Sequence, residues 1–198
     1  MQLASDPAEL TSAATDLVLA GIAATGIWLA RGWLWRLTFG GLALVAVAGV
    51  AVHGLTFAPT TTRGLWLVLQ LLLGLSVALF ALAALRDGGG PTLVRRAAVP
   101  LIAAGLTVGV LAQYYPETFL PFILFNGIVL IGVGALGVLR RRWRLAGGCL
   151  IALLAGAVQA TSWRLDLIWE FDHNGLFHLV QIPAHVLWIR AARTQAPA

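Results

Sequence analysis

GLWLVLQLLLGLSVALFALAAL, residues 64–85, decides the fold class. It holds 22 residues without a single charge. As an α-helix rising 1.5 Å per residue it reaches about 33 Å, enough to cross the hydrocarbon core of a bilayer. RDGGGPTLVRR, residues 86–96, stops it with charges, a glycine run and a proline, and another apolar run follows at once. Working outward in both directions gives the same alternation. Apolar runs fall at about 12–30, 37–58, 64–85, 97–115, 118–139, 145–163 and 175–190, separated by charged, Pro-rich or Gly-rich segments. The expected fold is an all-α integral membrane protein, one domain over 1–198, built as a seven-transmembrane helix bundle. The seventh run is short and holds His178, Gln181, Pro183 and His185, so six spans plus a re-entrant segment is the alternative.

Composition agrees. Of 198 residues 60% are hydrophobic and 11% charged, against roughly 45–50% and 25% in soluble domains. Mean hydropathy is +0.89. All 13 basic residues are Arg, gathered at the ends of apolar runs, so the formal charge of +5 marks topology and implies no nucleic-acid partner. Arg31, Arg36, Arg86, Arg95, Arg96, Arg140, Arg141, Arg142, Arg144, Arg190 and Arg193 fall on one side, and only Arg63 and Arg164 on the other. Eleven against two puts the C-terminus in the cytoplasm and the N-terminus, with Asp6 and Glu9, outside. Acids and no base ahead of the first run argue against a cleaved signal peptide. Trp28, Trp33, Trp35, Trp143 and Trp188 are expected at the inner boundary, and Trp66, Trp163 and Trp169 at the outer one. The single Cys149 lies in an apolar run and forms no intramolecular disulfide.

Polar side chains in hydrocarbon are costly and usually face a bundle's interior. On this topology His53, Gln70, Gln113, Asn126, Gln159 and His178 all lie in the outer half, with Gln181 and His185 following on the last span. Almost nothing comparable is expected in the inner half, which points to a polar pocket opening outward. No acid is counted inside the spans, and that disfavours a cation pump. Small residues at spacings of three or four (Ala46 and Gly49, then Gly148, Ala152 and Gly156) suggest close helix approaches. The last connection, WRLDLIWEFDHN (163–174), reads as a short interfacial helix over the pocket mouth, with Asn174 as N-cap of the final helix. Along that helix His178, Gln181 and His185 share one face, and Pro183 is expected to kink it.

The stretch FDHNGLFHLVQ, residues 171–181, resembles the closing motif of an uncharacterised family of bacterial seven-span membrane proteins, carried here by His173, Asn174, His178 and Gln181. That resemblance implies a multi-pass protein of a bacterial cytoplasmic membrane. A looser resemblance is to the superfamily of alkaline ceramidases and progestin-adipoQ receptors, whose seven spans hold zinc through one early and two late His. His53 and His178 match that distribution, whereas His178 and His185 are seven apart where that superfamily has four.

Three readings follow. In the first, His53, His178 and His173 hold zinc and activate a water, with Asp172 as general base and a lipid or lipid-like amide or ester as substrate. His185 is the weaker candidate for third ligand, because it lies about 10 Å deeper than His178. In the second, Gln70, Asn126, Gln159, Gln181 and His185 line a site for a small ligand, or His53 and His178 bind haem. In the third, these groups are polar glue between helices, each worth about 0.6 kcal/mol.

Overall fold

The computed structural model describes residues 2–114, 119–166 and 168–194. Within them the chain is all-α apart from two very short two-stranded pairings. Helix α1 spans Pro7–Leu29, α2 Trp33–Gly54, α3 Pro59–Leu111, α4 Leu120–Leu139, α5 Trp143–Gln159 and α6 His173–Arg193. A single 3₁₀ turn, Ala112–Tyr114, follows α3. Among the described residues α1 to α4 are long and apolar enough to cross a membrane, and α5 is a shorter apolar helix.

Local chemistry sets the boundaries. The Asp6 side chain accepts from the Ala8 backbone N–H at 3.0 Å and Pro7 takes the first helical position, so α1 begins five residues before the expected 12. Gly32, at φ 90°, makes the tight turn into α2. The expected ends at 115 and 118 lie outside the described residues.

Helix α3 is two helices joined at Gly90, whose φ of 79° and ψ of −178° leave the helical region. Gly74 lies against the backbone of Gly105, Gly109 lies against Gln70 and Leu71, and the Gln113 amide donates to the Gln70 side-chain oxygen. Each of these pairs is roughly equidistant from Gly90, so the chain doubles back there into two antiparallel arms. With that reversal, the described residues form seven helical rods in succession. Successive helices are neighbours, and α6 returns to α1, closing a ring.

The ends of the ring differ in charge. At one end the Arg31 backbone N–H donates to the Ala192 carbonyl, and Arg142 pairs with Asp87 at 2.6 Å while donating to the Ala191 carbonyl. Asp87 also accepts from the Trp35 indole. This is the Arg-rich end, and beneath it sits the apolar core of Trp35, Phe39, Phe80, Leu145 and Trp188. At the other end strand β1 (Gln2–Leu3) pairs with β2 (Leu55–Thr56), and β3 (Leu165–Asp166) pairs with β4 (Glu170–Phe171).

Several expectations are corrected. The 163–174 connection is a hairpin rather than an interfacial helix, with Arg164 and Glu170 3.5 Å apart across it. A helix of five or six residues gains too few hydrogen bonds to offset its nucleation, while paired strands satisfy their backbone groups directly. The N-cap of α6 is Asp172 and not Asn174, and the helix runs through Pro183 from His173 to Arg193 without a break. Trp35 meets Phe80 edge to face and Trp188 packs tilted against it, both buried beneath the Arg-rich end where they were expected, and Trp66 lies beside His53. Trp28, Trp33, Trp143, Trp163 and Trp169 are exposed.

Candidate functional site

The acidic half of the ring encloses a cavity of about 360 Å³. Its walls are mostly aliphatic and aromatic, contributed by α1, α2, the first arm of α3, α4, α5 and α6. His53, Asn126, Gln159, His178, Gln181 and His185 line it, together with Asp16, Ser76 and Asn174. Gln70 is buried instead between the two arms of α3, bonded to Gln113. His173 and Asp172 are not among the lining residues.

Two helix faces meet across the cavity mouth. On α1, Glu9, Ser12 and Asp16 stand at i, i+3 and i+7 and so share a stripe, with Thr15 beside it. Each side chain of this group meets one from α2 or α6. Glu9 bonds the His53 Nδ1 at 2.6 Å, and the Ser12 hydroxyl donates to Asp172 at 3.1 Å. The Thr15 hydroxyl is 3.0 Å from the His178 Nδ1, and Asp16 lies 3.5 Å from the His178 Nε2. Gly49 of α2 makes room for this, since a side-chain carbon there would overlap the Asp16 carboxylate. The His53 and His178 rings stand 6.3 Å apart, edge to face.

Glu9, Ser12, Thr15 and Asp16 are the residues that sequence reasoning missed. Asp16 is an acid inside the first expected span, so the count of no intramembrane acid is corrected here. It is buried at 4% exposure, about 14 Å along α1 from its start. The Asp6–Pro7 helix start, read together with the i, i+3, i+7 stripe, was the signal.

Asp172 is a structural hub at the end of α6. One carboxylate oxygen accepts from the Gly175 backbone N–H and the Ser12 hydroxyl, and the other from the Asn174 amide. Burial pushes this carboxyl upward, but those three hydrogen bonds and the adjacent His173 charge outweigh it and hold the group below its ordinary range. With its oxygens so occupied, Asp172 caps the helix and has none turned to the cavity. The chain of donors continues inward. Asn174 gives its amide to Asp172, so its oxygen faces Gln159, whose amide donates to it at 2.7 Å. His185 directs its Nδ1 to the Gln181 carbonyl, its ring tilted against Trp188.

This arrangement does not fit a shared metal ion. His53 has its Nδ1 on Glu9, and both ring nitrogens of His178 face α1, one to Thr15 and one to Asp16. Among the described residues no three His, Cys, Asp or Glu side chains converge as a ligand set. An axial bond to haem iron would require the His178 ring to turn away from Thr15 and Asp16. What remains is chemistry of another kind: an apolar chamber with hydrogen-bonding groups clustered towards one end.

Comparison with curated proteins finds no match, and comparison with solved structures finds none either. The likeness to alkaline ceramidases and progestin-adipoQ receptors gains no support from them. A family model does match, over residues 11–197, covering all six helices but for the first turn of α1. Its description is "Family of unknown function (DUF6962)", and the chain belongs to that family.

Proposed function

We propose that the chain is a seven-span protein of a bacterial cytoplasmic membrane that binds a small, largely apolar molecule within its helix ring, with the acidic end outside and the C-terminus in the cytoplasm. The lateral surface supports immersion in lipid. Leu17, Leu44, Val68, Ile128 and Leu150 all turn outward, and apolar side chains dominate the exposed flanks of α1 to α5. The Arg ratio of eleven to two supports the orientation. A C-terminal alkaline phosphatase fusion should be inactive and a C-terminal fluorescent protein bright; the reverse pattern refutes the orientation.

The cavity carries the binding reading. Its volume of about 360 Å³ falls in the range of small-molecule sites, and its lining is apolar with a few convergent polar groups. Gly156 offers a test, because it lines the cavity and a side-chain carbon there would meet nothing within 4 Å. Gly156→Leu should fill the chamber without displacing its neighbours. In lipid nanodiscs, 2-phenylethanol should raise the thermal midpoint of the native protein and leave that of Gly156→Leu unchanged. Equal shifts would place the probe in lipid and refute the cavity as its site.

A further inference from the structure

Three buried acceptor oxygens in this cavity have no hydrogen-bond partner: one carboxylate oxygen of Asp16, and the side-chain oxygens of Gln159 and Gln181. Buried acceptors without donors are rare in folded proteins, and three in one chamber point to something that brings donors. Asp16 and Gln181 are 4% and 8% exposed, so bulk water reaches neither freely.

The orientation of Gln159 follows from the network rather than from a choice of amide rotamer. Ionised Asp172 can only accept, so Asn174 must turn its NH₂ to it and its oxygen to Gln159. Gln159 must then turn its own NH₂ to Asn174, which leaves its oxygen as the free group. Asp16 works similarly. The Thr15 hydroxyl donates to the Ser12 carbonyl at 2.8 Å and so accepts at the His178 Nδ1, the His178 Nε2 lies 3.5 Å from one Asp16 oxygen, and the second oxygen still lacks a donor.

Charge narrows the ligand further. Among the described lining residues there is no Arg and no acid besides Asp16, and the nearby His53 is matched by Glu9. The chamber therefore holds one carboxylate, with one of its oxygens unpartnered, among aromatic walls. Trp66 stands 5.6 Å from both His53 and Phe119 at the mouth, and such faces attract cations.

We infer that the cavity's ligand is a cationic amine, a primary ammonium on an apolar body, whose three N–H groups bond Asp16, Gln181 and Gln159. This deepens the binding reading above and rests on it. An N⁺–H bond to a carboxylate is roughly twice as strong as a neutral one, so a charged donor should be preferred over a hydroxyl of the same shape.

Three matched probes test this on the full chain in zwitterionic nanodiscs, by calorimetry against empty discs: 2-phenylethylamine, 2-phenylethanol and phenylacetate. The amine should bind at least tenfold more tightly than the alcohol, and phenylacetate more weakly than both. Asp16→Asn should bring the amine down to the level of the alcohol while leaving the alcohol within about twofold. Gln181→Leu, which leaves the Asp16 pair with His178 in place, should lower amine affinity severalfold and serves if Asp16→Asn fails to fold. Equal binding of amine and alcohol, or preference for phenylacetate, overturns the inference while the cavity reading stands. Binding of none of the three overturns both.

Discussion

Replacing Asp172 by alanine removes three hydrogen bonds at once, from the Gly175 N–H, the Ser12 hydroxyl and the Asn174 amide. Loss of an N-cap costs about 1 kcal/mol. Each further bond to an ionised group is worth about 1.5 kcal/mol at the low end. Water reaches this end of the bundle and refills part of the loss, so Asp172→Ala should cost about 2–4 kcal/mol. Ser12→Ala, which removes one of the three, should cost about 1 kcal/mol. Asp172→Asn keeps an acceptor for the cap and should cost about half of the alanine change. Unfolding of nanodisc-held protein by heat, followed by circular dichroism, reads all three. The pH profile adds a sign. The carboxyl is held below its ordinary 3.8 in the folded chain, so its ionised form stabilises at every pH above that value. That contribution is lost only as pH falls through the lower folded value. The gap between native protein and Asp172→Asn should be flat from about pH 5 to 8 and close below about pH 4. An Asp172→Ala protein within about 0.5 kcal/mol of native, or a gap that changes between about pH 5 and 7, would refute the capping argument.

Three further outcomes are expected. Asp87→Ala strands Arg142 and the Trp35 indole at the Arg-rich end and should cost about 3–5 kcal/mol by the same thermal assay. Asp87→Asn should cost less, since it still accepts from the indole. Gly74→Leu drives a side chain into the Gly105 backbone and should lower stability by about 1–3 kcal/mol, whereas Gly156→Leu should be near neutral. Gly49→Ala pushes the Asp16 carboxylate away from its place beside His178, and calorimetry should find weakened 2-phenylethylamine binding even where the protein stays folded.

The helical architecture was legible because hydropathy and Arg placement are one-dimensional signals. The run 64–85 and the turn at 86–96 are enough to place two antiparallel rods, and Gly90 with positive φ sits inside that turn. The sorting of Arg residues also has a physical counterpart, since Arg31 and Arg142 meet the same end of α6. Helix starts were harder. Asp6 and Pro7 open α1 ahead of its apolar run, because a helix continues past the hydrocarbon wherever a cap and good helix formers allow. The hairpin after α5 was misread because Leu165, Ile168 and Trp169 have helical spacing, and spacing alone does not weigh nucleation against strand pairing.

The candidate site was half legible, and the missing half has one cause. Depth along a helix can be read from residue number at 1.5 Å per step, so the grouping of His53, Gln159 and His178 towards one end of the bundle follows from sequence. Which way a side chain turns about the helix axis depends on the neighbouring helix, which the sequence does not name. Gln70 and Gln159 lie at similar depth, yet one is sealed between two arms of α3 and the other faces the chamber. Asp16 went unseen for a related reason. A single acid with apolar neighbours reads as a blemish in a span until Gly49 and His178, distant in sequence, are seen to shape a place for it. A buried carboxylate in lipid survives only with partners, and one of its two oxygens has none in the chain itself. That unfilled valence, more than the histidines, marks where a ligand's donor would act.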